Sequence, residues 1–279
     1  MVENRPLLNI LTHFVLIAGV IVIAFPVYVA LISMTHSTET LAVSAPLLPG
    51  GELFNNIALV WNYDPAGMPP FWLMVWNSTW MAFIIMVGKI TISIISAYAI
   101  VYFRFPFRTL AFWLIFMTLM LPVEVRIIPT YEVVANLGML NTYWGLTIPL
   151  IASATATFLF RQFFMTIPDE LMEAARVDGA GPIKFFFDIL LPLSRTNIAA
   201  LCIILFIFGW VQYLWPLLIT TQEEHFTLMV GVKNMLGLVD VDPQWNMIMT
   251  AAVLALLPPV LIVIFMQRLF VKGLVETEK

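Results

Sequence analysis

A single cysteine in 279 residues leaves no disulfide within the chain and no cysteine-rich metal site, and that residue, Cys202, falls inside a hydrophobic run. Histidine is nearly as scarce. His13, His36 and His225 stand in separate segments, and no His-Glu-x-x-His string sets two imidazoles on one helix face. There is no Gly-x-Ser-x-Gly elbow and no phosphate-cradling loop ending in lysine, so the chain has no recognisable means of hydrolysing ATP by itself. Charge is sparse too: 11% of residues carry it, against about 25% in soluble domains. The net charge of −4 and the lack of a basic block speak against a nucleic-acid partner.

Most of the rest is apolar. Hydrophobic residues make up 61% of the chain, which marks an integral, all-α polytopic membrane protein. The length accommodates several spans of about 20 residues with modest loops and no separate soluble domain, so 1–279 reads as one transmembrane domain. Six spans are expected: Ile10–Met34, Phe71–Phe103, Thr109–Pro122, Tyr143–Phe164, Thr196–Ile219 and Met247–Phe270. The first is too long for the apolar core of a secretory signal and reads as an uncleaved helix with Pro26 as a tolerated kink. Two shorter helices are expected in outer segments, Tyr131–Leu140 and Thr227–Leu238.

Basic residues orient these spans. Thr35–Pro70 carries Glu39, Glu52 and Asp64 without any Lys or Arg, as expected outside. Arg5, Arg104, Arg108, Arg161, Arg176, Lys184, Arg195, Arg268, Lys272 and Lys279 fall on the other side, Arg126 and Lys233 fall outside, and Lys89 lies within a span. The excess of Lys and Arg predicts that both termini are cytoplasmic.

Between the fourth and fifth spans runs TIPDELMEAARVDGAGPIKFFFDILLP, Thr166–Pro192, too charged and too rich in breakers to cross a bilayer. Pro168 suits a first helical turn, and Asp169 and Glu170 suit the positive helix end, so a short helix is expected to about Val177. Gly179 allows a left-handed turn or a close backbone approach. Pro182 opens a second helix, which Pro192 is expected to close. Ala174 and Ala175 leave little bulk beside Glu173, forming a narrow ridge suited to a partner's groove, although an amphipathic helix lying on the membrane is the plainer alternative.

Glu173-Ala174-Ala175, Asp178-Gly179-Ala180 and the Ile189-Leu190-Leu191-Pro192 ending resemble the EAA loop of permease subunits in binding-protein-dependent ABC importers of the carbohydrate-uptake type. The resemblance implies a type I importer permease fold in which 166–195 holds a cytoplasmic coupling helix between spans four and five. Glu173 would then meet a basic group of a separate ATPase, with Gly179 at the family's glycine. The implied partners are a sister permease, two copies of a cytoplasmic ATPase that bind ATP and Mg, and a periplasmic substrate-binding protein, all at the bacterial inner membrane. The strings Leu119–Arg126 and Ala152–Met165 resemble the branch of this family that imports sn-glycerol-3-phosphate, with glycerophosphodiesters as further cargo and a neutral sugar as the alternative.

Two rival classes are weighed against this. Asp169 and Glu173, four apart on one helix face, suggest a metal-dependent membrane enzyme, but solvated helix-end charges explain them better. A secondary transporter would need intramembrane charge, for which Lys89 is the candidate, either lining a substrate path or acting as a structural partner. Phe208–Pro216 adds Gln212 and Tyr213 as hydrogen-bonding groups in an apolar span, with Gly209 permitting close helix approach. This stretch resembles the family's fifth-span motif but has Val211 where asparagine is usual, which leaves the amide role to Gln212.

Overall fold

A bilayer offers no partners for backbone N–H and C=O groups, so an apolar chain satisfies them within helices. The computed structural model describes residues 6–63, 67–236 and 243–275, and among them every regular element is helical. Arg5, Asp64, Leu238 and Lys279 lie outside the described residues. The elements are α1 (Pro6–Ser33), α2 (Thr38–Val43), α3 (Leu53–Trp61), α4 (Phe71–Tyr102), α5 (Arg108–Met117), α6 (Val123–Asn136), α7 (Tyr143–Thr147), α8 (Ala154–Phe164) and α9 (Asp169–Val177). They continue with α10 (Pro182–Leu193), α11 (Arg195–Trp210), α12 (Leu214–Ile219), α13 (Leu228–Leu236) and α14 (Trp245–Val275).

Among the described residues, three helices are unbroken and long and apolar enough to cross a membrane: α1 over Ile10–Ser33, α4, and α14 over Trp245–Gln267. Pro26 lies inside α1, and Pro258 and Pro259 lie inside α14, without ending either helix. The expected fourth span is a bent pair. Tyr143–Leu150 and Ala154–Phe164 meet at 45°, across a break that Ser153 closes by accepting the Ala156 N–H at 3.3 Å. The expected fifth span is interrupted at Val211–Tyr213, and its N-terminal end joins Pro182–Leu193 through a 71° bend.

Other boundaries differ from the sequence expectation for local reasons. The third apolar segment is α5 followed by a 3-10 turn, Thr118–Met120. Its ten α-helical residues rise only about 15 Å. Pro122 then opens α6 at Val123, eight residues ahead of the expected Tyr131. That helix stops before Leu140, because Gly138 takes a left-handed φ of +67° and the Met139 N–H turns back to the Val134 carbonyl at 3.0 Å. The helix expected at Thr227–Leu238 is Leu228–Leu236.

The chain forms two compact units. The first takes residues up to Ala66 with Pro70–Trp72 and Gly231–Leu257. Within it, Asn56 donates to the carbonyls of Met34 (2.9 Å) and His36 (2.8 Å), and its oxygen accepts from Asn246, whose own oxygen accepts from Thr38. The second takes Gly67–Pro69, Leu73–Val230 and the chain from Pro258. Two apolar clusters among its described residues are built on α4. One gathers Ile94 and Ala97 with Phe160, Phe164, Ala175 and Leu190 from α8 to α10. The other gathers Met81 and Ile85 with Ile127, Leu146, Trp215 and Ile219. Small residues set these distances. A β-carbon on Gly88 would stand 2.7 Å from Ile151 Cγ2, and one on Gly209 would stand 2.7 Å from Ala82 Cα.

Candidate functional site: a docking arm and an interrupted span

The arm begins where α8 ends. Thr166 bonds back to the Phe163 carbonyl, Pro168 caps the next helix in an extended conformation, and α9 covers Asp169–Val177. Asp169 and Glu170 occupy its first turn and Arg176 its last, so each charge complements the end of the helix dipole where it sits. The helix stops in a Schellman turn: Ala180 N–H reaches Ala175 O at 2.8 Å and Gly179 N–H reaches Arg176 O at 3.1 Å, with Gly179 at φ +74°. Of the two readings of Gly179, the left-handed turn is the one adopted. Nothing lies within 4 Å of where its β-carbon would be.

The six residues singled out here divide between two faces. Ala175 is buried and Ala180 half-buried against the α4–α8 cluster, while Glu173, Ala174, Asp178 and Gly179 are exposed. Val177 (87% exposed), Ile183 and Phe187 extend this outer face as bare apolar surface. α10 follows from Gly181, with Pro182 at its first turn as expected. Pro192 does not close it. A proline has no N–H to give an α-helical bond, and the helix widens to π over Phe186–Leu190, with Leu191 N–H bonding Phe186 O, and so carries through to Leu193. Ser194 then donates its hydroxyl to Leu190 O at 2.6 Å at the bend into α11.

Two tyrosines one turn apart on α4 brace the arm, and they went unnoticed in the sequence. Tyr98 donates to Pro182 O at 2.9 Å, and Tyr102 donates to Phe164 O at 3.4 Å. Their rings pack on Phe186 (5.1 Å) and Phe185 (5.4 Å). The i, i+4 spacing near a basic turn was the available signal. A groove of about 900 Å³ runs between α9 and this end of α4, lined by Asp169 and Glu173 from one side of the sequence and by Arg104 and Arg108 from the other.

The interrupted span holds the second group. Lys89, 7% exposed, sets its Nζ 3.8 Å from the Phe208 ring centroid, a cation–π contact. Gln212 donates its amide to Phe208 O at 3.0 Å. Lys89 and Gln212 thus meet at one residue, whereas Tyr213 ends the break, half-buried, capping α12. The break is pinned on both sides, by Gly209 against Ala82 and by Trp215 donating to Gly145 O at 3.1 Å. At another level of α4, also unnoticed in the sequence, fully buried Asn77 donates to Glu224 O (2.8 Å) and Phe226 O (3.0 Å) and accepts from Tyr143 OH (2.7 Å). Among the described residues no three His, Cys, Asp or Glu side chains gather where they could hold a metal ion.

Known proteins share this fold. A chain in the crystal structure of a bacterial ABC transporter involved in the import of the acidic polysaccharide alginate superposes with a TM-score of 0.84 at 19% identity, over 96% of this chain and 98% of that one. The fold is therefore that of a type I ABC importer permease. Sequence similarity runs over the full length of both chains to the sn-glycerol-3-phosphate transport system permease proteins UgpE of Yersinia enterocolitica (57% identical), Salmonella typhi (59%) and Escherichia coli (58%). Residues 89–276 match the family described as the inner membrane component of binding-protein-dependent transport systems. With the arm, the interrupted span and this match in hand, the chain belongs to that family of inner membrane permeases.

Proposed function

We propose that this chain forms half of the translocation pathway of an ATP-driven importer for sn-glycerol-3-phosphate, with glycerophosphodiesters as further cargo. The observation that carries the cargo is end-to-end identity of 57–59% with permeases of that transport system. On this reading, all of 1–279 serves as one transmembrane domain paired with a sister permease. Two copies of a cytoplasmic ATPase hold ATP and Mg, and a periplasmic protein delivers the cargo. Both termini lie in the cytoplasm, on the side of the docking arm.

The exposed face of α9 supports the coupling role. Glu173 offers a charge-assisted contact beside the narrow ridge at Ala174 and the open turn at Gly179, while Ala175 and Ala180 fasten the arm to its own bundle. When the ATPase pair closes, the arm moves with it and passes the displacement through α10 and the bend at Ser194 into α11. The spans then rock from inward-open to outward-open. On α4, facing the interrupted span, Lys89 offsets the phosphate charge of the cargo, with Gln212 near it and Tyr213 further along the substrate path.

The test is ATP hydrolysis by the purified complex in lipid, with its binding protein, in the presence and absence of glycerol-3-phosphate. Stimulation by that ligand is expected. Hydrolysis that ignores it but responds to a neutral sugar would keep the importer and discard the cargo.

A further inference from the structure

The end of the second unit that carries α9 has another cavity, of about 420 Å³, between α5 and the last turn of α8. It shares Val101, Arg108 and Met165 with the groove beneath the arm. Its polar lining is Arg108, Thr109, Arg161 and Gln162, and no carboxylate lines it. Arg161 sits over Phe112, with Cζ 4.1 Å from the ring centroid, and its Nε is buried without an acceptor. Arg108 spends one N–H on a long 3.4 Å contact with Phe103 O. Each guanidinium carries five donors, so the pair has donors to spare.

Two guanidinium groups facing one cavity with no carboxylate in its lining make that cavity favourable for an anion. The fork of each matches the oxygens of a phosphate. The remaining walls choose among phosphates. Phe112, Phe116 and Phe158 pack ring on ring along one side, with centroids 5.6–6.5 Å apart. They lead out to Trp113 and Leu110, both about half exposed, on the apolar flank of α5. A small hydrophilic phosphate gains nothing from such a wall, but an acyl chain does. The turn before α5, Arg104-Phe105-Pro106-Phe107-Arg108, adds a further sign. Phe107 holds a left-handed φ of +63°, unfavourable for a residue with a β-carbon, with its ring 77% exposed. Basic and exposed aromatic side chains together suit the headgroup layer of a membrane.

We propose that this cavity binds the phosphate headgroup of an anionic phospholipid in the inner leaflet, with Arg108 and Arg161 as its ligands and the aromatic side of α5 as the wall for its acyl chains. The leaflet rests on the orientation proposed above, and the site itself does not.

The experiment measures phosphatidylglycerol and cardiolipin retained by the complete transporter after purification in mild detergent, by mass spectrometry of extracted lipid. Against the unmodified complex, Arg108→Gln combined with Arg161→Gln should lower the retained anionic lipid by about tenfold. Phosphatidylethanolamine should not change, and Arg161→Lys, which keeps the charge, should retain more than the neutral variant. If the double variant fails to assemble, Arg108→Gln alone, at an exposed position, serves in its place. Unchanged anionic lipid, or equal loss of phosphatidylethanolamine, overturns the site. Displacement of the lipid by inorganic phosphate alone, at matched ionic strength, would assign the cavity to free phosphate instead. Orientation is read separately, by labelling Phe107→Cys in a Cys202→Ala background with a membrane-impermeant maleimide. Labelling from the outer face of intact cells would overturn the leaflet while leaving the lipid result standing.

Discussion

Gly209 and Asn77 show how single positions hold this bundle together. A side chain at 209 would have to displace the backbone of α4, because the nearest atom is Ala82 Cα. Gly209→Val should therefore destabilise the subunit by about 1–3 kcal/mol, seen as a lower melting temperature of the purified complex. The glycine's role was legible, since a glycine in an apolar helix announces close approach. Its partner 127 residues earlier was not. Asn77 was less visible still. It reads as the first of three polar residues, Asn77-Ser78-Thr79, between two tryptophans, and only the fold brings the Glu224 and Phe226 carbonyls and the Tyr143 hydroxyl to it. Asn77→Ala leaves those groups without their partner at a cost of about 1–3 kcal/mol, and limited proteolysis should show earlier cleavage within 223–228.

Among the elements, the docking arm was the most legible because its signals are local. Pro168, the acidic first turn, Gly179 and Pro182 each act within a few residues, and α9 has the expected extent. The continuation past Pro192 was not legible, because a missing N–H can either end a helix or widen it, and the packing of Leu190 against α4 favours the second. The breaks at 151–153 and 211–213 were hidden for a related reason, since hydropathy does not see where a helix bends. The open space around Gly179 makes a sharp prediction about this arm. The β-carbon of Gly179→Asp meets nothing within 4 Å, so the main cost to the fold is left-handed strain, about 1 kcal/mol. Gly179→Asp and Glu173→Lys should both insert and assemble at near-normal levels on immunoblots of membranes yet abolish uptake. Normal uptake by either would count heavily against the coupling role.

On the scale of the whole molecule, membrane residence and family were legible from composition and one loop, and the cargo only from end-to-end similarity. Long-range charge is where the two meet. If the cargo is the phosphate ester proposed above, a buried lysine resting on a phenyl ring invites a direct role, and Lys89→Met should raise the KM for glycerol-3-phosphate uptake while leaving assembly intact. Unchanged kinetics would reduce Lys89 to a structural partner of Phe208. The wide turn of α10 has a different consequence. It inserts an extra residue's worth of winding between the docking face and the span, so it works as a phase setting. Deleting one residue from 186–190 would restore an even helix but demand a swing of α9 by about 100° about that axis, setting the buried fit of Ala175 and Phe185 against α4 and the outward aim of the docking face at odds, so that key and lock could no longer both be served.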